Sequence, residues 1–173
     1  MSKMKNIFTV CAAMTAIVGF STIASAQEVA HASASATILT PISITKDFDM
    51  KFGNVAVQST TGGTVVLTTA GLRSRTNGVT LPATAGVFNA ASFTVNGEAG
   101  YTYDITLPTS ALTITDGTNN MLVTDFVSDP LTSGILVLGT QTLNVGATLN
   151  VGAAQVAGAY ASATSFDVTV NYN

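Results

Sequence analysis

Phe166-Asp167-Val168-Thr169-Val170-Asn171-Tyr172-Asn173 closes the chain with apolar and polar residues in strict alternation. A period of two belongs to a β-strand with one dry face and one wet face. Here Phe166, Val168, Val170 and Tyr172 share the dry face. Moving outward, the same pattern recurs. Residues 142–151 give a candidate strand pair around Gly146. Tyr101, Tyr103, Ile105 and Leu107 fall on one face, with Thr102, Asp104 and Thr106 on the other. Ala91, Phe93 and Val95 alternate with Ser92 and Thr94, and residues 64–68 form a short apolar run. No helical stripe exceeds two turns. Turn signals lie between the runs: Gly62-Gly63, Asn77-Gly78, Asn96-Gly97, Asp116-Gly117, Asp129-Pro130 and Ser133-Gly134. Short strands at this spacing predict an all-β chain, an immunoglobulin-like antiparallel β-sandwich with one core between two sheets.

Composition supports that class and excludes others. The chain has 173 residues, six Lys+Arg against nine Asp+Glu, one His, one Cys and no Trp. An acidic chain without clustered basic residues does not suit nucleic acid, whose phosphates demand them. After Ala26, 25 residues are Thr. Thr and Val are β-branched and favour strands. Most strand-like runs fall short of the roughly 9–11 residues of a membrane β-barrel strand. Beyond the first segment, no apolar run reaches the roughly 20 residues of a membrane-spanning helix.

Residues 1–26 have the three parts of a secretory signal. Lys3 and Lys5 supply the charge, residues 7–23 the apolar stretch, and Ala24-Ser25-Ala26 the small-residue cleavage site. The expectation is export to the periplasm, the cell surface or the extracellular space. Cleavage removes Cys11, so no disulfide, thiolate nucleophile or Cys metal site is expected. It also removes both lysines, leaving four basic against nine acidic side chains.

The next segment alternates too. Ala30, Ala32, Ala34, Ala36 and Ile38 share one face, and Val29, His31, Ser33, Ser35, Thr37 and Leu39 the other. Pro41 interrupts, and Ile42 and Ile44 open a further strand leading to Phe48 and Phe52-Gly53. Alternation alone leaves two readings: the first strand of the chain's own domain, or an arm that pairs elsewhere. The expected organisation is residues 1–26 as signal, 27–40 as extended arm and 41–173 as sandwich.

Residues able to do chemistry are sparse. A hydroxyl nucleophile needs a base, and the single His31 sits in the arm. Asp47 and Asp49 flank Phe48, but Ca2+ takes six or more oxygens. Asp104, Asp125 and Asp167 stand apart. Arg73 and Arg75, near Asn77-Gly78, read as a solvated basic loop, and Tyr101 and Tyr103 as core rather than a sugar platform. Gly139 and Gly146 read as turn or bulge residues. No enzyme, cofactor or metal is expected.

Nearly the whole chain from about residue 34 resembles the secreted bacterial domain-of-unknown-function family 4402. The resemblance is carried by Ile42-Ser43-Ile44 with Phe52-Gly53, and by Gly71 and Arg73 after Val65-Val66. Phe93, Val95 and Gly97 before Tyr101-Thr102-Tyr103 add to it. So do Gly139, Leu143, Val145-Gly146, Thr148-Leu149 and Val151, and the final run from Phe166 to Asn173. That family is similar in turn to spore-coat-U-type and chaperone–usher pilin domains, which share a signal, an Ala/Thr-rich arm, a strand ending in Phe-Gly, and a penultimate Tyr. Residues 160–166 are about two longer than the usual spacing, which suggests a bulge. The Cys pair of many pilins is missing.

The resemblance implies a fimbrial subunit that polymerises by donor-strand complementation. Ala30, Ala32, Ala34, Ala36 and Ile38 would insert into a neighbouring copy as its missing strand. Phe166, Val168, Val170 and Tyr172 would form one groove edge, opposite Ile42 and Ile44. Partners would be other copies of itself or related subunits, a periplasmic chaperone and an outer-membrane usher. The alternative is a monomeric periplasmic or surface-exposed binding module, for glycan or protein, closed by its own first strand.

Overall fold

A computed structural model describes residues 27–173. The signal reading of residues 1–26, Cys11 included, lies outside the described residues. The strands are β1 (Ser43–Phe48), β2 (Lys51–Phe52), β3 (Ala56–Val57), β4 (Gly63–Leu67), β5 (Arg73–Arg75), β6 (Val79–Thr80), β7 (Phe88–Asn89) and β8 (Ala91–Asn96). They continue with β9 (Thr102–Thr106), β10 (Leu112–Thr115), β11 (Asn120–Asp129), β12 (Ser133–Ile135), β13 (Thr140–Val151), β14 (Ala161–Ser162) and β15 (Thr169–Tyr172). Every pairing is antiparallel. The only helical element among the described residues is one 3-10 turn, Val137–Gly139.

β13 is the spine of the main sheet. Residues 140–145 pair with β8, residues 147–151 with β4, and the opposite edge pairs with β11. Gly146 sits at the changeover from β8 to β4. A Cβ there would collide with the Leu67 carbonyl oxygen, so the absence of a side chain lets β4 approach. The expected strand pair around Gly146 is therefore corrected: β13 runs unbroken, and Gly146 is a point of close approach rather than a turn. The full sheet has eight strands, ordered β1-β8-β13-β11-β10-β14, with β4 and β5 branching from β13, and curls into a half-barrel. A second sheet has the order β12-β9-β15, and two ribbons pair β2 with β7 and β3 with β6.

Ser133-Gly134, read as a turn, lies in β12 instead, pairing with Asp104 and Tyr103. Gly134 has no room for a Cβ because the Tyr103 ring lies against it. The expected alternation from Phe166 is only partly a strand, since β15 begins at Thr169. The longer spacing between residues 160 and 166 contains β14, which pairs with β10.

The single expected core is two clusters. The first holds Phe93, Val95, Leu143 and Val145 from the large sheet against Tyr103, Leu136 and Val170 from the small-sheet side. The second holds Val65, Val123, Ala147, Leu149 and Val151 from the large sheet with Val79 from β6. Burying such side chains stabilises by about 1.5–3 kcal/mol each. Met50 and Phe126 pack against both clusters.

Candidate functional site

The second cluster is covered incompletely, and a groove of about 1130 Å3 opens over it. Its floor includes Val123, Leu149 and Val151. One wall is the segment from Lys46 through Phe52 to Val57, as the first strand leaves the large sheet. The other is Leu112 and Ile114 of β10 with residues 155–162 and Phe166. Phe166 leans on Phe93, edge to face at 6.4 Å, and on Phe126 at 5.1 Å. Apolar side chains such as Met50, Phe52, Val55 and Val57 share its lining with Lys46, Asp49, Lys51 and Asn54, and exposed apolar surface of this kind marks association sites.

The six expected groove-edge residues all pack against the first cluster: Val170 is buried, and Ile42, Ile44, Phe166, Val168 and Tyr172 are half-buried. Of these, only Phe166 lines the groove. The first and last segments meet at their Thr40 and Tyr172 ends and part around Phe166. The groove lies along residues 46–57 of the first segment, beyond Ile44.

Four hydrogen bonds close the Thr40 end. The Tyr172 hydroxyl donates to the Thr40 carbonyl at 2.7 Å and accepts from the Glu98 amide at 2.6 Å. The Glu98 carboxylate accepts from the Thr40 hydroxyl at 2.7 Å and from its amide at 3.1 Å. Those two bonds hold the Glu98 carboxyl below its usual range, the hydroxyl contributing most. Gly97 makes the cluster feasible, because any Cβ there would run into the Tyr172 hydroxyl. Tyr101 stacks edge to face on Tyr172 at 6.0 Å.

The five candidate donor residues carry no helix or strand. Ala30, Ala32, Ala34 and Ala36 lie in residues 27–36, which are exposed. Ile38 belongs to the compact unit that begins at Thr37, where its side chain is 92% exposed. Both β1 and β15 end their sheets, so each offers one edge with no ladder among the described residues.

The remaining candidates are placed as follows. Asp49 accepts an exposed ion pair from Lys46 at 2.7 Å, and Asp47 accepts from the Thr94 hydroxyl at 2.9 Å. Among the described residues no three His, Cys, Asp or Glu side chains gather as metal ligands, and no helix is long and apolar enough to cross a membrane. Arg73 corrects the expected solvated loop. It lies in β5, donates to the carbonyls of Phe52 and Asn54 at 2.6 and 3.2 Å, and stacks over the Phe88 ring at 4.1 Å. It thereby pins the wall of the groove. Tyr103 is fully buried, and its hydroxyl donates to Gln141 at 2.9 Å. Glu98 and the groove-lining Met50 and Met121 were not singled out in the sequence.

Fold and groove together define an all-β domain of antiparallel sheets with an open trough over its second core cluster. The chain belongs to the family described as Domain of unknown function (DUF4402), which residues 42–172 match. Neither curated proteins nor solved structures give a match.

Proposed function

We propose that this protein is an exported, non-catalytic structural subunit of a surface fibre, an immunoglobulin-like domain related to pilins. Copies assemble head to tail, the arm of one completing the core of the next. The observation that supports this best is the open groove beside Phe166, flanked by the first and last segments of the domain. A missing strand leaves such a trough, with backbone edges that main-chain hydrogen bonds would fill. The exposed alternating residues 30–38 supply a strand of suitable chemistry. Four Ala and one Ile bury little area at about 25 cal/mol per Å2. Backbone pairing and completion of the core therefore carry most of the affinity. Because donor and acceptor surfaces differ, the contact does not close and a filament results. A chaperone would cover the groove beforehand, and an usher would order the exchange.

The test is a graft. Residues 29–39 are repeated after Asn173 through a flexible linker, so that each chain carries its own filling strand. The expected product is a monomer with a higher Tm. An unchanged Tm together with a monomeric parent chain would favour the self-contained binding module instead.

A further inference from the structure

An arm tethered to its own groove competes with every neighbour. A short flexible tether gives an effective concentration of roughly millimolar, far above a secreted subunit's working concentration. Eleven extended residues, 29–39, span about 36 Å at ~3.3 Å each. The groove wall starts at Lys46 and Phe48, and eight extended steps from Thr40 to Phe48 cover about 26 Å. Reach alone does not prevent self-insertion. Direction does. β1 runs from Ser43, opposite Asn96, to Phe48, opposite Ser92. Thr40 therefore lies at the end of β1 remote from the groove, and an arm entering its own groove must reverse at its root.

We infer that the Thr40 root, clasped by Glu98 and Tyr172 and stiffened by Pro41, is a stop against self-insertion that commits the arm to a second copy. The inference rests on the fibre reading above. Pro41 fixes its own φ and holds Thr40 in the extended region. The clasp ties Thr40 by amide, hydroxyl and carbonyl, from the loop after β8 and from β15 at once. The two-residue hairpin turns that fold a strand back beside itself need residues that accept positive φ, chiefly Gly, Asn or Asp. Ile38, Leu39, Thr40, Pro41 and Ile42 include none of them. Glu98 and Tyr172 act here through Thr40 as positioning residues.

Two variants of the full chain test the stop. Pro41→Gly leaves all four clasp bonds in place and frees only the backbone; combined with Tyr172→Phe it frees both. Each is refolded at micromolar concentration beside the parent. The expected result is a rise of about tenfold or more in monomer over polymer, greatest in the double variant. The monomer fraction should not depend on concentration, and the arm should resist limited protease. Two variants that polymerise as the parent does overturn the stop. Should the double variant fail to fold, the single one decides. A parallel arm separates the two ideas: full chain carrying Ile38→Asp, its own arm disabled, receives a peptide of residues 29–39. A raised Tm upholds the groove as acceptor, so unchanged variants then remove the stop alone. No rise removes the donor-strand reading and the stop with it.

Discussion

Tyr172 shows how much one hydroxyl ties together. Its partners Thr40 and Glu98 lie 132 and 74 residues away along the chain. Alternation marked its ring as inward-facing, but no local pattern announces a partner so remote. Gly97 was legible as a turn signal and as part of the family pattern, whereas its further role is to leave room for that hydroxyl. The chemistry at Glu98 makes the clasp sensitive to acid. Its carboxyl is held low in the folded chain by Thr40, so its contribution is present above the unfolded value of about 4.3. The contribution fades as pH falls through the folded value. Denaturant titrations of the parent and Glu98→Gln should differ at neutral pH and converge in acid. A difference that is constant with pH would mean that the charge plays no part. Asp116, held at about 2 mainly by the Asn119 amide, loses its effect only in stronger acid.

At the scale of elements, β11 is the instructive omission. Met121 and Val123 point inward on odd positions, whereas Phe126 and Ser128 do so on even ones. The shift occurs between Thr124 and Val127, where Asp125 takes φ 51° and the ladder slips against β13. One extra residue inverts the phase of everything after it, so the strand dissolves into two short fragments when read for period two. β8, by contrast, keeps its phase, with Ala91, Phe93 and Val95 buried, and was legible as such. The ribbons β2–β7 and β3–β6 are two residues per strand, too short for any period. The bulge yields a prediction. Asp125→Val places a β-branched residue at positive φ and should cost about 1–2 kcal/mol, while Asp125→Gly should be neutral or mildly stabilising. Urea midpoints would decide it, and equal midpoints for the two would remove the conformational argument.

For the whole molecule, the alternating runs made the all-β class readable, and the uneven cover of the large sheet made the rest obscure. Which half of a sheet goes uncovered depends on where a three-stranded layer ends, and period-two alternation looks the same in both halves. A groove between the first and last segments was expected toward residues 42–44 and 168–172; at that end Tyr172 bonds Thr40 and Glu98, and the trough in the structure lies along residues 46–57. If residues 29–39 fill the trough of a second copy, the parent chain should bind an apolar dye such as ANS, and adding the residue 29–39 peptide should lower that signal. Phe126 and Met50 touch both clusters, so filling the trough should also slow amide exchange in β9 and β15. Slowing confined to β10 and β11 would show the clusters to be uncoupled.

The clasp at Thr40 has a mechanical consequence. In a filament pulled end to end, tension would enter each domain through residue 40, the last point before the chain passes to its neighbour. There the load meets three hydrogen bonds to Thr40 side by side, anchored in the loop after β8 and in β15. Strain would be divided between two layers before β1 could peel from its edge, and a fibre so built should yield by unzipping at the clasp before its domains unravel.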